Sequence, residues 1–240
     1  MTSDTSTSLS ERVLIRYQAL FFALLLFLAG PFAIPDRLEG LLTPLLFTIV
    51  ALAALTTAAE RRSTLIIGLV LAVPALLAGW LEPTEPRLAI AGGISQLLFM
   101  ALVAAGILNH VIRAKRVTSD LLFGVACVYF LLATIWSIGY GIADTIEPGA
   151  LALAISDTGK SADLHSLSGE KVRVYFSFVT LTTLGYGDIR PVSDAARIMA
   201  MLEATLGQLF LVIVVARIVG LNTVQLMSGR GGADRRTDSG

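Results

Sequence analysis

The chain has 240 residues, 55% of them hydrophobic, with 18 basic and 18 acidic side chains that leave no formal net charge. Its mean hydropathy is +0.77. A water-soluble domain of this composition would expose large apolar patches, so the composition predicts a membrane protein. The balanced charge gives no indication of a nucleic-acid partner. The only cysteine, Cys127, lies in an apolar run, which excludes an internal disulfide framework and predicts a buried core thiol.

Six apolar stretches of the chain are long enough, or nearly so, to cross a hydrocarbon core of ~30 Å as helices. In chain order they are residues 13–33, 41–59, 64–80, 88–112, 121–143 and 195–220. The third is the least regular, because it is short and contains Pro74. Residues 1–12 and 221–240 are polar, and we expect tails there, the second of them disordered. The basic start of the first stretch is also compatible with a cleaved signal peptide over residues 12–33.

Basic residues in short loops predict which ends of the spans face the cytoplasm. They cluster before the first stretch and after the second, fourth and sixth stretches: Arg12, Arg16, Arg61, Arg62, Arg113, Lys115, Arg116, Arg217, Arg230, Arg235 and Arg236. The other loops are acidic or mixed. The alternation predicts a multi-pass protein of the cell membrane with both termini in the cytoplasm.

Residues 13–116 are predicted to form a four-helix transmembrane domain. Voltage sensing requires several charges that move through the membrane field, commonly arginines repeated along one span. The fourth stretch, residues 88–112, contains no arginine or lysine, and the first basic residue after it is Arg113. We therefore expect no strong intrinsic voltage sensor. Gly92 and Gly93 in this stretch predict a close approach of neighbouring helices.

A segment of different character separates the fifth and sixth stretches. Residues 144–169 have the polar composition of an extracellular loop, and residues 170–182 follow with the length of about three helical turns. A helix of that length is too short to cross a membrane, so we predict a re-entrant helix. Non-helical backbone survives at membrane depth only where it is buried in protein or lines a water-filled path. The stretch TTLGYGD at residues 182–188, here named the GYG loop, is therefore predicted to line a path.

The alternating glycines of the GYG loop suit the binding of a dehydrated cation. Such a cation needs oxygen ligands in place of water, and backbone carbonyls supply them when successive residues direct them to the same side. L-residues resist that backbone unless glycines alternate with them, because glycine reaches positive φ without steric cost. Gly185 and Gly187 stand at alternate positions, and the Thr183 hydroxyl can add an oxygen at the inner end.

On these residues, the chain closely resembles the tetrameric potassium channels, whose pore segment joins a short helix, a TVGYG-type loop and a full inner span. The resemblance covers residues 121–220 and implies a pore domain at 117–220. Its parts are an outer helix at 121–143, an extracellular loop at 144–169, a pore helix at 170–182, a filter at 183–187 and an inner helix at 195–220.

This resemblance implies an all-α membrane protein with six transmembrane helices, a re-entrant pore helix and a selectivity-filter loop. The implied function is passive passage of K⁺, the transported ion, with no other cofactor. The implied partners are further copies of the same chain, in a fourfold homotetramer, and the lipid bilayer, with no nucleic acid and no known soluble partner.

The resemblance also assigns roles by position. K⁺ would be coordinated by backbone carbonyls, and by the Thr183 side-chain oxygen, along the filter residues Thr183, Leu184, Gly185, Tyr186 and Gly187. Support of the filter and its outer mouth would fall to Tyr175, Phe176, Val179, Thr182 and Asp188.

Three departures from the family pattern concern the support of the filter. Leu184 is larger than the commoner valine, so its side chain must be accommodated behind the filter. Val179 stands where some bacterial relatives carry a glutamate that pairs with the aspartate. Asp188 lacks that partner, although Tyr175 can supply a hydroxyl. Phe176 stands where many relatives carry a tryptophan, and it cannot donate a hydrogen bond to the filter. These changes bear on filter rigidity and inactivation rather than on selectivity.

Three residues of the sixth stretch are gating candidates. Gly207 falls where the family carries a hinge glycine, and close helix packing is an alternative role for it. Gln208 is implied to face the ion path. Glu203 is an ionisable residue within a span, which is costly and therefore a functional candidate. We expect it to contact a pore-helix hydroxyl, such as Thr180 or Thr182, and to tune the filter; a purely structural hydrogen bond is the alternative.

Three other classes of function are weighed against this hypothesis. A membrane enzyme would need a constellation of nucleophile, acid/base or metal ligands, and two histidines and one cysteine offer no such spacing, so we expect no enzyme. Potassium transporters of related type carry four pore repeats in one chain, whereas this chain has one. A weakly selective cation channel usually departs at the tyrosine position, and Tyr186 is intact.

Overall fold

The computed structural model describes residues 16–33, 36–58, 62–81, 85–153 and 169–237, which are predominantly helical. In chain order the helices are α1 (Arg16–Ala33), α2 (Asp36–Ala58), α3 (Arg62–Leu81), α4 (Pro86–Arg113), α5 (Ser119–Ile146), α6 (Gly169–Leu181) and α7 (Asp194–Thr237). Two strands, β1 (Leu151–Leu153) and β2 (Ile189–Pro191), form a small antiparallel sheet. The predicted tail at residues 1–12 and the greater part of the predicted extracellular loop lie outside the described residues.

Among the described residues, four helices are long and apolar enough to cross a membrane, over Ser63–Leu81, Pro86–Arg113, Ser119–Ile146 and Asp194–Thr223. Within the described residues, the apolar parts of α1 and α2 are shorter, at Tyr17–Gly30 and Gly40–Leu55. The stretch that is least regular in sequence is thus one of the four long helices. Pro74 lies inside α3, and membrane helices tolerate proline because neighbouring groups satisfy the freed backbone carbonyl.

Helix α5 is central, and α1, α4, α6 and α7 all pack against it. The first four helices also pack in chain order, α1 on α2, α2 on α3 and α3 on α4. Two glycines of α4 permit close contact with both of its neighbours, as predicted. A Cβ on Gly92 would overlap the side chain of Ala78 on α3, and one on Gly93 would lie 3.0 Å from Cγ1 of Ile142 on α5.

An apolar core joins the first four helices to α5. Leu20, Val50, Met100 and Leu131, from α1, α2, α4 and α5 respectively, are completely buried in it. Cys127 of α5 is buried in the same core as a free thiol, as predicted. The four-helix part of the chain and the predicted outer helix therefore share one core.

The small sheet connects the GYG loop to the C-terminal end of α5. Strand β1 follows α5 and pairs with β2, which follows the GYG loop, with Ala152 opposite Arg190 at the centre. A second apolar cluster lies against the sheet and includes Tyr140, Leu151, Val172, Phe176, Ile189 and Ala196. The sheet and this cluster fix where the chain leaves the loop and enters α7.

The structure adjusts the predicted bounds of three helices and corrects one expectation. The helices predicted as outer, pore and inner helix run over Ser119–Ile146, Gly169–Leu181 and Asp194–Thr237 rather than 121–143, 170–182 and 195–220. The expectation of a disordered tail from residue 221 is wrong as far as Thr237, because the backbone of α7 stays helical to that residue. Extending an existing helix avoids the unfavourable nucleation step, so a polar segment can continue the helix before it.

Candidate functional site

Helix α6 carries the GYG loop at its C-terminal end. Glu170 lies in its first turn, where a carboxylate complements the partial positive charge of a helix N-terminus. With 13 residues, α6 is about 20 Å long, less than a hydrocarbon core of ~30 Å. Phe176, Val179 and Leu181 are buried, so α6 ends inside the protein and the non-helical loop follows directly.

The amide groups at the start of the GYG loop donate back to the end of α6. Thr183 N donates to Thr180 O at 2.9 Å, and the amides of Leu184 and Gly185 donate to Val179 O at 2.9 and 3.3 Å. The described residues contain no cis peptide bond. Across a trans peptide, the N–H and the C=O of the preceding residue point in opposite directions. The three carbonyls that precede these amides therefore point away from α6.

Backbone dihedral angles alternate along the GYG loop. The φ angle is 59° at Thr183, 55° at Gly185 and 76° at Gly187, while Leu184 and Tyr186 between them do not have positive φ. The predicted use of glycine at two of these positions is therefore confirmed. Positive φ at a threonine costs on the order of 1–3 kcal/mol and persists where the surroundings determine it. The Thr183 amide hydrogen bond to α6 is one such determinant.

The large side chains of the GYG loop are not packed within this chain. Leu184 is 59% exposed and Tyr186 is 66% exposed. The expectation that the extra volume of Leu184 is accommodated behind the loop therefore stays a prediction. Helix α6 contacts the loop through its backbone amides.

At the outer end of the loop, Asp188 is held by two hydrogen bonds. The Tyr175 hydroxyl donates to Asp188 Oδ2 at 2.7 Å, and Ile189 N donates to Asp188 Oδ1 at 3.0 Å. Tyr175 thus supplies the hydroxyl that the sequence offers in place of the missing glutamate. The carbonyl of Gly187 accepts a 3.2 Å hydrogen bond from Arg190 Nε. The outermost part of the loop is therefore fixed by its own neighbours in sequence.

The other predicted supports of the loop are packed into the protein or bonded within their own turn. Val179 is buried, and its carbonyl receives the two loop amides described above. Phe176 is buried against Tyr140, with ring centroids 5.0 Å apart in an edge-on arrangement. The Thr182 hydroxyl donates to Phe178 O at 2.6 Å, so it is directed to the end of α6.

At the inner end, α7 contacts both the loop and the last turn of α6. Gln208 Nε2 donates to Thr183 Oγ1 at 3.2 Å. Gly207, one residue earlier, lies against Leu181: a Cβ on Gly207 would overlap the Leu181 carbonyl oxygen and lie 2.9 Å from Leu181 Cδ1. The close-packing role considered for Gly207 is therefore present in this structure.

Glu203 joins three helices behind the loop. It is completely buried on α7, and its Oε2 accepts a 2.7 Å hydrogen bond from the hydroxyl of Tyr140 on α5. Its Oε1 lies 2.5 Å from the hydroxyl of Ser177 on α6. The expected contact with a hydroxyl of this helix is present, but it is made by Ser177 and not by Thr180 or Thr182, because the side of α6 that faces α5 and α7 carries Ser177 at this level.

The Ser177 hydroxyl also lies 2.7 Å from the carbonyl oxygen of Ala133. A hydroxyl has one proton, which can form only one full-strength hydrogen bond, and a backbone carbonyl never donates. All the contacts are satisfied when Ser177 donates to Ala133 O, a protonated Oε1 of Glu203 donates to Ser177, and Tyr140 donates to Oε2. The geometry therefore fits a neutral carboxylic acid at Glu203.

Farther along α7, Arg217 caps the C-terminal end of α4. Its Nε donates to Val111 O at 3.4 Å, and Nη2 donates to Ala114 O at 3.1 Å and also to Ile112 O. The last carbonyls of a helix have no partner within it and carry partial negative charge, so a guanidinium there is stabilising. This contact connects α7 to the C-terminal end of α4.

Three residues of this arrangement, Ser177, Tyr140 and Arg217, did not emerge from the sequence as site residues. Ser177 is the polar residue among the buried side chains of α6, and its position on that face is a signal that the sequence does contain. Tyr140 has no comparable signal. Arg217 was used only as a marker of the cytoplasmic side.

Comparison with known proteins adds one similarity over this part of the chain. Residues 169–223 match a family model described as "Ion channel", whereas no curated protein matches the chain. The matched segment begins at α6, contains the whole GYG loop and ends in α7. Together with four helices that are long and apolar enough to cross a membrane, this ion-channel domain supports an ion channel in a membrane.

Proposed function

We propose that the chain is one subunit of a homotetrameric, K⁺-selective channel through which K⁺ passes passively across the cell membrane. The observation that carries this proposal is the backbone of the GYG loop. Its φ angle is positive at Thr183, Gly185 and Gly187, and its first amides donate toward α6. Such a backbone directs carbonyl oxygens to the opposite side. The match to an ion-channel family model over the same residues supports the proposal.

Rows of backbone carbonyls can replace the hydration shell of K⁺, which makes them suitable ligands for a dehydrated ion. In the proposed filter, the Thr183 hydroxyl is the innermost ligand, and the carbonyl ligands belong to Thr183, Leu184, Gly185 and Tyr186. The Gly187 carbonyl accepts from Arg190, so we assign Gly187 to the outer mouth. The partially negative C-terminus of α6 favours a cation at the inner end.

A single GYG loop supplies one wall of an ion path, so the proposal requires four copies around an axis. Exposure in the single chain is consistent with this requirement, since Leu184 and Tyr186 are more than half exposed. Helix α7 also exposes large apolar side chains, including Met201, Val212 and Ile213. Closed fourfold symmetry would cover such surfaces with neighbouring copies and would place the carbonyl rows on the axis.

We further propose that α1 and α2 also cross the membrane, which gives six spans with both termini in the cytoplasm. The distribution of arginine and lysine among the loops supports this orientation. Helix α4 has no arginine or lysine between Arg87 and Arg113, at its two ends. The proposed channel is therefore not gated by voltage through this helix.

The test is ion flux into liposomes that contain the purified full chain, with K⁺, Rb⁺ and Na⁺ compared as permeant ions. We expect passage of K⁺ and Rb⁺ but little Na⁺, block by barium, and a purified particle with the mass of four chains. Gly185→Asp should abolish flux, because it adds a charged side chain to the row of carbonyls and makes an L-residue adopt φ 55° at an energetic cost.

Gly149→Asp is the matched control. Gly149 also has positive φ, at 87°, and a Cβ at either glycine would meet no atom within 4 Å. Gly149 lies between α5 and β1, away from the GYG loop, so its variant should retain flux. Equal flux of Na⁺ and K⁺ would favour a weakly selective cation channel, and a purified monomer would contradict the fourfold assembly.

A further inference from the structure

A cavity of about 780 Å³ lies between the four-helix part of the chain and the α5–α6 pair. This volume is in the range of small-molecule sites, which is about 300–1,000 Å³. Its lining comes from α1 to α6 and includes no residue beyond Val174, so the cavity is separate from the GYG loop. Many of its lining residues are glycine or alanine, which leaves the space unfilled.

The lining of the cavity changes from apolar to charged along the helices. Phe27 and Phe47 are buried and form apolar wall, with Leu76 beside them. Asp144 lies in the last turn of α5, and Glu170 and Arg173 lie in the first turns of α6. The charged lining is therefore at helix ends, and the apolar lining lies farther within the helices. A lining with this gradient is complementary to an amphiphile, which has a polar head and a hydrocarbon chain.

Arg173 is the cationic residue of this cavity. Its guanidinium is half-buried, and the carboxylates of Glu170 and Asp144 attract it electrostatically. Two glycines make room for it, because a Cβ on Gly141 would lie 3.1 Å from Nε and one on Gly169 would lie 2.8 Å from Nη1. A guanidinium with five donors at membrane depth is costly unless an anion accepts from it, and phosphate fits its geometry.

We propose that this cavity binds a zwitterionic phospholipid of the outer leaflet. The phosphate accepts hydrogen bonds from Arg173, the ammonium group lies near the carboxylates of Asp144 and Glu170, and one acyl chain occupies the apolar part. Two carboxylates beside one guanidinium disfavour a purely anionic headgroup. The apolar wall distinguishes a lipid from a water-soluble zwitterion. The assignment to the outer leaflet rests on the orientation given under the proposed function.

The test uses the purified full chain in bilayers of equal amounts of phosphatidylethanolamine and phosphatidylglycerol, with lipids that survive mild extraction counted by native mass spectrometry. The wild-type chain should retain phosphatidylethanolamine in preference to phosphatidylglycerol. Arg173→Gln should lower that retention about tenfold or more, the factor expected when charge-assisted hydrogen bonds are lost. Arg197→Gln is the control, because Arg197 is an exposed arginine of α7 that pairs with Asp194 outside the cavity.

A second variant acts through volume instead of charge. Ala75 is buried and lines the cavity, so Ala75→Leu should also reduce lipid retention while leaving the three charged residues in place. Equal retention by the wild type and by both cavity variants would overturn the proposal, and enrichment of phosphatidylglycerol would overturn the zwitterionic headgroup. Displacement of the lipid by equimolar phosphoethanolamine would assign the site to a soluble zwitterion. Retention is measured without ion flux, so its outcome is distinct from that of the channel test.

Discussion

The Gln208 side-chain amide donates a 3.2 Å hydrogen bond to the Thr183 hydroxyl, which joins the inner helix α7 to the loop residue with φ 59°. Both side chains are exposed within the single chain, and an ordinary hydrogen bond of this kind contributes about 0.5–1.5 kcal/mol. The bond fixes the orientation of the hydroxyl that the proposed filter uses as its innermost ligand.

Replacement of Gln208 should therefore change ion binding at the inner end of the filter. Gln208→Ala removes the donor, and we expect the half-blocking concentration of internal barium to shift about two- to tenfold, the range that one such hydrogen bond allows. The measurement is barium block of K⁺ flux in liposomes of defined orientation. Leu209→Ala changes the adjacent exposed residue of α7 and should leave block unchanged. A similar shift in both variants would indicate a general effect on α7.

Replacement of Glu203 tests its protonation state. If Glu203 is a neutral acid, Glu203→Gln can keep the network, with its amide donating to Ser177 and its carbonyl accepting from Tyr140. We expect Glu203→Gln to alter the free energy of unfolding by less than about 1 kcal/mol. Glu203→Ala should cost about 2–5 kcal/mol, because it leaves a cavity and two buried hydroxyls without their partner. Thermal unfolding of the purified protein measures both.

The result would contradict the neutral acid if Glu203→Gln were as destabilising as Glu203→Ala. The same variants also address gating. If Glu203 tunes the proposed filter, Glu203→Gln should change the open probability in single-channel recordings while leaving stability nearly unchanged. Unchanged open probability and unchanged ion block would leave the residue with a structural role between α5, α6 and α7.

Much of the loop geometry could be predicted from the sequence because it follows from local chemistry. Glycine is the residue for which positive φ has no steric cost, so the positions of Gly185 and Gly187 alone predict the alternating φ angles of the loop. The short helix before the loop follows from the length of an apolar segment bounded by polar residues. Gly92 and Gly93 predict close helix packing because glycine has no side chain to keep a neighbouring helix away.

The contacts of Glu203 could not be predicted in the same way. Its burial follows from its place in an apolar span, but its partners depend on the rotation and tilt of α5 and α6 about their axes. Residue spacing within one helix does not determine those quantities between helices. The packing of Leu184 cannot be predicted from one chain for a different reason, because in the proposed channel a neighbouring copy of the chain would cover it.

Gly207 allows a prediction about packing that is independent of ion flux. Gly207→Ala places a Cβ against Leu181, where its oxygen and Cδ1 leave no room, and overpacking of this kind costs about 1–3 kcal/mol. Gly220→Ala is the matched control on the same helix, because a Cβ there meets no atom within 4 Å. That change should be neutral or stabilising by up to about 1 kcal/mol. The thermal midpoint of Gly207→Ala should therefore fall, whereas that of Gly220→Ala should stay the same or rise.

Arg217 offers the most direct test of how the first four helices are connected to the inner helix. Its guanidinium donates to the carbonyls of Val111, Ile112 and Ala114 at the end of α4. Glutamine is shorter and uncharged, so Arg217→Gln should lose these bonds and the attraction to the helix terminus, together about 1–3 kcal/mol. The loss should be local, because the apolar contacts between α4 and α5 do not involve this residue.

Hydrogen exchange can separate this local effect from global destabilisation. In Arg217→Gln, amides near residues 111–118 should exchange faster, because the C-terminal turn of α4 opens more often without its cap, while amides in the middle of α5 should be unchanged. Arg113→Gln is the control, since Arg113 is exposed on the last turn of α4 and bonds to Asn109 of its own helix. If the two variants show the same exchange pattern, Arg217 does not hold α4, and the coupling between these helices must pass through α5.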